Sequence, residues 1–574
     1  MQARKGNLFK GSLCIGRWIH YLRLSKRHTC LSANIRSIHP ARYHTIASDR
    51  PSSSSFDVRE LTISRFHEAL KSGQTTCAEV TAAYLSRISR YNPVLKALIT
   101  INPHALDIAR QKDSETAEFL HKNGGKDLPP LHGVPLILKD TYSTADMPTT
   151  AGCLALQTLQ TTADAFVVQK LRAAGALILA KANLHELSMQ GVTVSSLGGQ
   201  TLNPYDLTRT PGGSSGGNAA ALAANLCLGG CGGDTMNSLR SPASACNIVG
   251  FRPTRGQVSR SGTLGVSETQ DAIGPMARTV ADARVLFEVM RGEDPADPAT
   301  VSPERWAVEE EYQARSTCTK KDRPVRIGIL DTYFGLEEEN TNTDDHLRPE
   351  ISTVNRVVLD ALHKSHPFAD LIHLPSLPPS CSVETLLVTA DVQSHEFRST
   401  INTFLQDSSL IRSTPHRTFD SLAASGQVKR KALSQVFFDA LKPEGVFGTS
   451  TAEYKKRLSR IDAVKETVQD LFEKYDLDAV AYPHQRHYVV KVGATRQPGR
   501  NGILAALTGR PAVCIPAGFS PPTESAPLGV PIGLELMGKP WRDLELLDIA
   551  ERLEAVLQAR REPMLDEVGG ESYM

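Results

Sequence analysis

The stretch Pro211–Gly256, PGGSSGGNAAALAANLCLGGCGGDTMNSLRSPASACNIVGFRPTRG, decides how the rest of the 574-residue chain is read. A run of alanines with helical character joins two serine-bearing loops. One holds Ser214-Ser215 among four glycines; the other holds Ser238 within Asp-Thr-Met-Asn-Ser-Leu-Arg. Gly-Gly-Ser-Ser-Gly-Gly can bring backbone close to a substrate, because glycine reaches φ values that a side chain forbids. Two hydroxyls on such loops, with a lysine elsewhere in the chain, are the parts of a histidine-free acyl-transfer site.

The same residues formally fit G-x-S-x-G, the nucleophile elbow of α/β-hydrolases, at Gly212 to Gly216. That elbow needs an apolar strand just before it. Asn203 to Pro211 holds two prolines and no apolar run, so the elbow reading fails.

On either side of this centre, strand and helix patterns alternate. Glu60 to Lys71 reads as a helix ended near Gly73. Thr76 to Glu79 is a capping-box pattern leading an apolar stripe through Val80, Ala83, Tyr84 and Ile88, with Pro93 expected to stop it. Leu131 to Asp140 is a short apolar run ending in Lys139. Helices are expected at Ala165–Ala174, Thr353–His363, Ala452–Tyr475 and Trp541–Leu557. Strands are expected at Ala176–Ala180, Val325–Leu330, Ala479–Tyr482 and Pro531–Met537. Such alternation argues an α/β fold around a largely buried sheet. The polar segments 291–323 and 336–350 read as surface insertions.

Composition narrows the function classes. With 40% hydrophobic and 22% charged residues the chain has an ordinary globular make-up. No run of 18 apolar residues marks a membrane-spanning helix. The ten cysteines form no C-x-x-C pair; Cys227 and Cys231 lack a second ligand pair, and His484 and His487 read as structural rather than metal-binding. Residues 1–50 hold ten of the 64 Lys and Arg and a single acid, Asp49, leaving a mildly acidic body without a nucleic-acid footprint. The basic, acid-poor leader has the make-up of a mitochondrial transit peptide, the alternative being a cytoplasmic protein with a basic extension. Ser52 to Ser55 reads as a linker. The expected organisation is a leader, 1–55, and one body, 56–574.

The motif order resembles the amidase signature family of serine hydrolases. That family's Gly-Gly-Ser-Ser-Gly-Gly, Asp-Thr-Gly-Gly-Ser-Ile-Arg, Pro-Ala and Lys-Pro-Thr blocks correspond here to Gly212–Gly217, Asp234–Arg240, Pro242-Ala243 and Arg252-Pro253-Thr254. Leu131 to Pro135, Lys139-Asp140 and Pro148 to Gly152 are similar to the segment bearing the family's lysine. Ala180 to Glu186, Gly199 to Pro204, Pro511 to Gly518 and Gly533 to Gly538 are similar to its further blocks, so the resemblance spans roughly residues 60–557. It implies one large domain, a mixed twisted sheet covered by helices.

The resemblance also implies a site. Lys139 would be the base, Ser214 a bridging serine behind a cis Gly213–Ser214 peptide, and Ser238 the nucleophile. Backbone N–H groups of Thr235, Met236, Asn237 and Ser238 would form the oxyanion hole, Asp234 and Arg240 could pin that loop as an ion pair, and Ser188 would border the pocket. Met236-Asn237 departs from the usual Gly-Gly. Methionine rarely takes a positive φ, so strain or an altered loop is expected there. The implied activity is hydrolysis of a small-molecule carboxylic amide, with no cofactor or metal and with a homodimer as the assembly considered. The alternatives are the subunit of a tRNA-dependent amidotransferase that releases ammonia from glutamine, and an inactive amidase-like binding protein. Tyr482 to Lys491, Tyr-Pro-His-Gln-Arg-His-Tyr-Val-Val-Lys, replaces the more frequent Pro-Thr-x-Pro pattern.

Overall fold

The structure is a computed structural model and describes residues 56–122, 128–302, 323–335, 347–366, 368–429 and 432–565. The leader, residues 303–322 and residues 336–346 lie outside the described residues. Eleven strands form the central sheet: β1 (Leu98–Ile101), β2 (Pro135–Lys139), β3 (Leu177–Ala182), β4 (Gly229–Asp234), β5 (Val249–Arg252), β6 (Ala272–Ala277), β7 (Val325–Ile329), β8 (Ala369–His373), β9 (Ala479–Pro483), β10 (Ala512–Phe519) and β11 (Pro531–Gly538). Their order is β1-β3-β2-β4-β6-β5-β10-β11-β9-β7-β8. β3, β2 and β4 run parallel, as do β9, β7 and β8, and antiparallel pairings join these two groups through the middle of the sheet. The body is therefore one large α/β domain around a mixed sheet.

β2 and β4 are parallel neighbours, so their carboxyl ends lie at the same edge of the sheet. Lys139 closes β2 and the Ser238 loop follows β4, and this common edge is where open α/β sheets place their ligands. β4, Gly-Gly-Cys-Gly-Gly-Asp, is a poor strand by propensity, since glycine packs no side chain. Close approach explains it. A Cβ on Gly232 would lie 2.9 Å from the Ser215 hydroxyl and 2.8 Å from Leu239. The helix Gly216–Ala223 is buried throughout. A Cβ on Gly217 would lie 2.1 Å from the Asn183 carbonyl, so small residues let this helix seat its first turn on the neighbouring backbone.

A second, smaller apolar core lies beside the sheet. It draws Phe397, Ile401 and Phe404 from the helix Gln393–Gln406 and Phe437 from the helix Gln435–Ala440, against Leu156, Leu187 and Leu264.

Several boundaries differ from the sequence reading. The helix begun by the Thr76–Glu79 capping box runs Cys77–Leu95, straight through Pro93. Buried Tyr91 and Leu95 hold the last turn in the core, and Lys96, in a left-handed conformation, closes it with its N–H on the Asn92 carbonyl at 2.8 Å. The first helix starts at Ile63, capped by Thr62, because Glu60 has φ +48°. The last helix starts at Asp543, because Trp541 has φ +65°. Residues 294–300 are not a surface insertion: Asp294, Asp297 and Thr300 are buried, and Asp297 pairs with Arg260 at 2.8 Å. Residues 348–350 likewise belong to a helix, Arg348–His363.

Candidate active site

Lys139 is buried at the end of β2, and its Nζ is hydrogen-bonded to Ser214 Oγ at 2.7 Å. Burial favours the neutral amine and lowers its pKa to about 7, with Asp271 and Asp234 opposing the shift. The Gly213–Ser214 peptide is cis, as the resemblance implied. Ser214 is fixed by its carbonyl, which accepts the His185 N–H at 2.9 Å. Thr193 Oγ1 donates to the Gly212 carbonyl at 2.7 Å and accepts the Gly216 N–H at 3.2 Å, clamping the serine loop from both sides.

The Ser238 loop lies against this assembly, with the Ser215 N–H donating to the Ser238 carbonyl at 3.2 Å. Among the described residues no hydrogen bond joins the Ser238 and Ser214 hydroxyls, and none takes up the backbone N–H groups of Thr235, Met236, Asn237 or Ser238. Thr235, Asn237 and Ser238 are buried. Buried N–H groups are nearly always paired, so an unpaired run of this kind is suited to an oxygen that develops negative charge.

The loop is held from behind. Asp234 and Arg240 form the expected ion pair at 3.0 Å, joined by Arg252 and Glu535, all fully buried. The Asn237 carbonyl accepts the Ser241 N–H at 2.7 Å, and its Oδ1 accepts the Gly502 N–H at 3.0 Å. Neither Met236 nor Asn237 has a positive φ. The positive φ that would strain a methionine is therefore not adopted, and Asn237 uses its side chain as a tether.

A cavity of about 480 Å³ opens beside Lys139, Gly233 and Thr235, with Ser188 on its wall. Its charged lining includes Arg260, Glu268, Asp271 and Glu396. Leu187 and Ser188 carry φ +54° and +61°, an uncommon pair of left-handed residues beside the pocket. Ser238 does not itself line this cavity.

Sequence reasoning missed Asp271, which accepts from Thr235 Oγ1 at 2.5 Å and from the N–H groups of Val266 and Ser267. Burial pushes its pKa up. No spacing pattern ties it to the serines; only the pairing of β6 with β4 brings it near. His185 offers no rival base: its ring is turned to the Ala432 carbonyl at 2.7 Å, and burial lowers its pKa to about 4. His484 and His487 contact Glu535 and the Tyr488 carbonyl respectively.

Comparison with known proteins shows the family. The amidase family model matches residues 79–547. A glutamyl-tRNA(Gln) amidotransferase subunit from Zea mays, named as chloroplastic/mitochondrial, is 30% identical, over 94% of this chain and 96% of its own length. The corresponding amidotransferase subunit from Roseiflexus sp. (strain RS-1) is 32% identical, over 87% of this chain and 97% of its own. Among solved structures, the peptide amidase of Stenotrophomonas maltophilia superposes with a TM-score of 0.71 at 28% identity, covering 88% of this chain and 99% of that one. The chain belongs to the amidase family, hydrolases that cut amide carbon–nitrogen bonds through a serine.

Proposed function

We propose that the chain hydrolyses a carboxamide through an acyl-enzyme on Ser238. The contact between the Lys139 amine and the Ser214 hydroxyl, beneath a loop of unpaired N–H groups, carries this reading. Ser238 Oγ attacks the carbonyl carbon while its proton passes to Ser214 Oγ, whose own proton passes to Lys139 Nζ. The substrate oxygen becomes an oxyanion facing the N–H groups of the 235–238 loop. The proton then returns through Ser214 to the leaving nitrogen, the C–N bond breaks, and ammonia or an amine departs. Water attacks the resulting ester by the same route and frees Ser238.

The curated relatives shift the substrate from a generic small amide to the side-chain carboxamide of glutamine, with the chain acting as the ammonia-releasing subunit of a tRNA-dependent amidotransferase. The cavity beside Lys139 has polar and charged walls, among them Asp271 and the Arg260–Glu268 pair, which suits a polar substrate. The mildly acidic body offers no RNA footprint, so on this reading companion chains hold the tRNA. A second reading, hydrolysis of a peptide or small-molecule amide, draws on the likeness to the peptide amidase. An inactive binding protein is disfavoured by the buried lysine amine that meets the Ser214 hydroxyl and has its pKa lowered to about 7.

These readings separate on ammonia release from glutamine, from a peptide carboxy-terminal amide and from a simple aliphatic amide. Glutamine is expected to be the best substrate, above all with companion subunits present. Ser238→Ala is expected to abolish release from every substrate with the fold intact. Preference for the peptide amide would favour the second reading, and full activity of Ser238→Ala would remove Ser238 from its role.

Lys139 must be neutral to accept a proton. Activity is therefore expected to rise as pH increases through about 7 and to fall tenfold per unit below it. A flat kcat/KM profile between pH 5.5 and 8.5 would contradict this assignment.

Asn237→Gly restores the usual family residue but leaves the buried Gly502 N–H without its acceptor, a loss of about 1–3 kcal/mol. Lower turnover and a lower Tm are expected; turnover above wild type would show the tether to be dispensable.

The leader is proposed to direct the protein to mitochondria, in line with the name of the Zea mays relative. Protein recovered from cells is expected to begin beyond Arg42 to Ser48 and to co-fractionate with mitochondria, and a chain starting at Phe56 to keep full activity. An intact Met1 on cytosolic protein would contradict the targeting role.

A further inference from the structure

The unusual segment Tyr482–Gln485 has no part in the reaction as written, yet two of its side chains bond Glu535 and a third bonds Ser241, three residues after Ser238. The Tyr482 hydroxyl donates to Glu535 Oε1 at 2.9 Å, His484 Nδ1 is bonded to Glu535 Oε2, and Gln485 Oε1 accepts from Ser241 Oγ at 2.7 Å. Glu535, on β11, has its other contact with Arg240 Nη1. Arg240 Nη2 donates to the Met236 carbonyl at 2.7 Å, to the Gly502 carbonyl at 3.0 Å and to Asp234 Oδ1 at 3.0 Å. Gly502 belongs to the same wall: a Cβ there would fall 2.5 Å from Asn237 Oδ1 and 2.8 Å from Arg240 Nη1.

A trans peptide is planar, with its C=O and N–H on opposite sides. Holding the Met236 carbonyl on Arg240 therefore turns the Asn237 N–H the other way. The Asn237 carbonyl, held by the Ser241 N–H, does the same for the N–H of Ser238. The two guanidiniums, Arg240 and Arg252, balance the two carboxylates, Asp234 and Glu535, with all four buried. Burial lowers the pKa of His484, and the Glu535 carboxylate opposes that shift.

We propose that His484 and Glu535 are positioning residues for the nucleophile loop, with His484 orienting Glu535, Glu535 fixing Arg240, and Arg240 aiming the backbone N–H groups of Asn237 and Ser238 at the reacting carbonyl. This rests on the reading of that loop as the oxyanion hole. It assigns the Tyr482–Gln485 segment to loop geometry rather than to metal binding. His484→Asn keeps an N–H donor near the place of Nδ1, whereas His484→Leu removes it. Glu535→Gln keeps the shape and removes the charge.

The test measures amide hydrogen exchange at Leu239 and Ser241, whose N–H groups close the loop on Asp234 and Asn237, together with kcat and KM for ammonia release. In His484→Leu and Glu535→Gln, exchange at these two amides is expected to rise tenfold or more while β1 to β3 stay unchanged. The same variants are expected to lose tenfold or more in kcat with KM within about twofold, and His484→Asn to recover most of both. Unchanged exchange at Leu239 and Ser241 in the two disruptive variants would overturn the proposal, as would a uniform rise across the sheet. A wild-type protein that releases no ammonia from any amide would count against the proposed function alone, because the exchange comparison still decides the relay. If Glu535→Gln does not fold, the His484 pair gives the same comparison without a change in buried charge.

Discussion

The site depends on placing the Lys139 amine out of water at the carboxyl end of β2. An ammonium in that position loses its hydration, and a pKa near 7 follows from burial alone, since the nearby acids oppose the shift. A second buried lysine one strand away makes the contrast. Lys181, on β3, meets Asp140 at 3.1 Å and donates to the carbonyls of Tyr142 and Pro148 and to Thr149 Oγ1. Lys139 has the Ser214 hydroxyl instead. Of two lysines in adjacent parallel strands, one is surrounded by oxygen acceptors and the other faces a serine. The difference between them is the Asp140 carboxylate, which pairs with Lys181 and has no counterpart in hydrogen-bond contact with Lys139.

Around this lysine the chain resolves a packing conflict. Two serine loops must meet one strand end, which requires backbone to approach backbone more closely than side chains allow. The glycines of β4 and the glycine-alanine helix Gly216–Ala223 supply that proximity, at the expense of strand and helix propensity. Buried charge then does what side-chain bulk cannot. Asp234, Arg240, Arg252 and Glu535 form a closed set of ion pairs that spans β4, β5, β11 and the start of the helix Arg240–Ala245. Removing one member leaves an uncompensated charge in the core, which is the costly way to break such a set.

Much of this was legible before any coordinates. The order of the glycine-serine blocks was enough for the fold class, for the meeting of Lys139 with Ser214, and for the Asp234–Arg240 pair. The capping box at Thr76 and Glu79 marks a helix start directly. What the sequence hid has physical causes. Pro93 reads as a stop, but the packing of Tyr91 and Leu95 outweighs it. Met236-Asn237 reads as strain because the comparison pattern has glycine there, whereas Asn237 finds a partner in Gly502, 265 residues away. Asp271, Glu535 and His484 reach the site through sheet pairing, a long-range property that local spacing does not encode.

If Ser238 is the activated nucleophile, serine-directed fluorophosphonates label it. Intact-mass measurement followed by peptide mapping of the wild-type protein at pH 8 is predicted to show one adduct, carried by the peptide containing Ser238. An adduct on Ser214 or on any other serine, or a protein that stays unlabelled, would contradict the account.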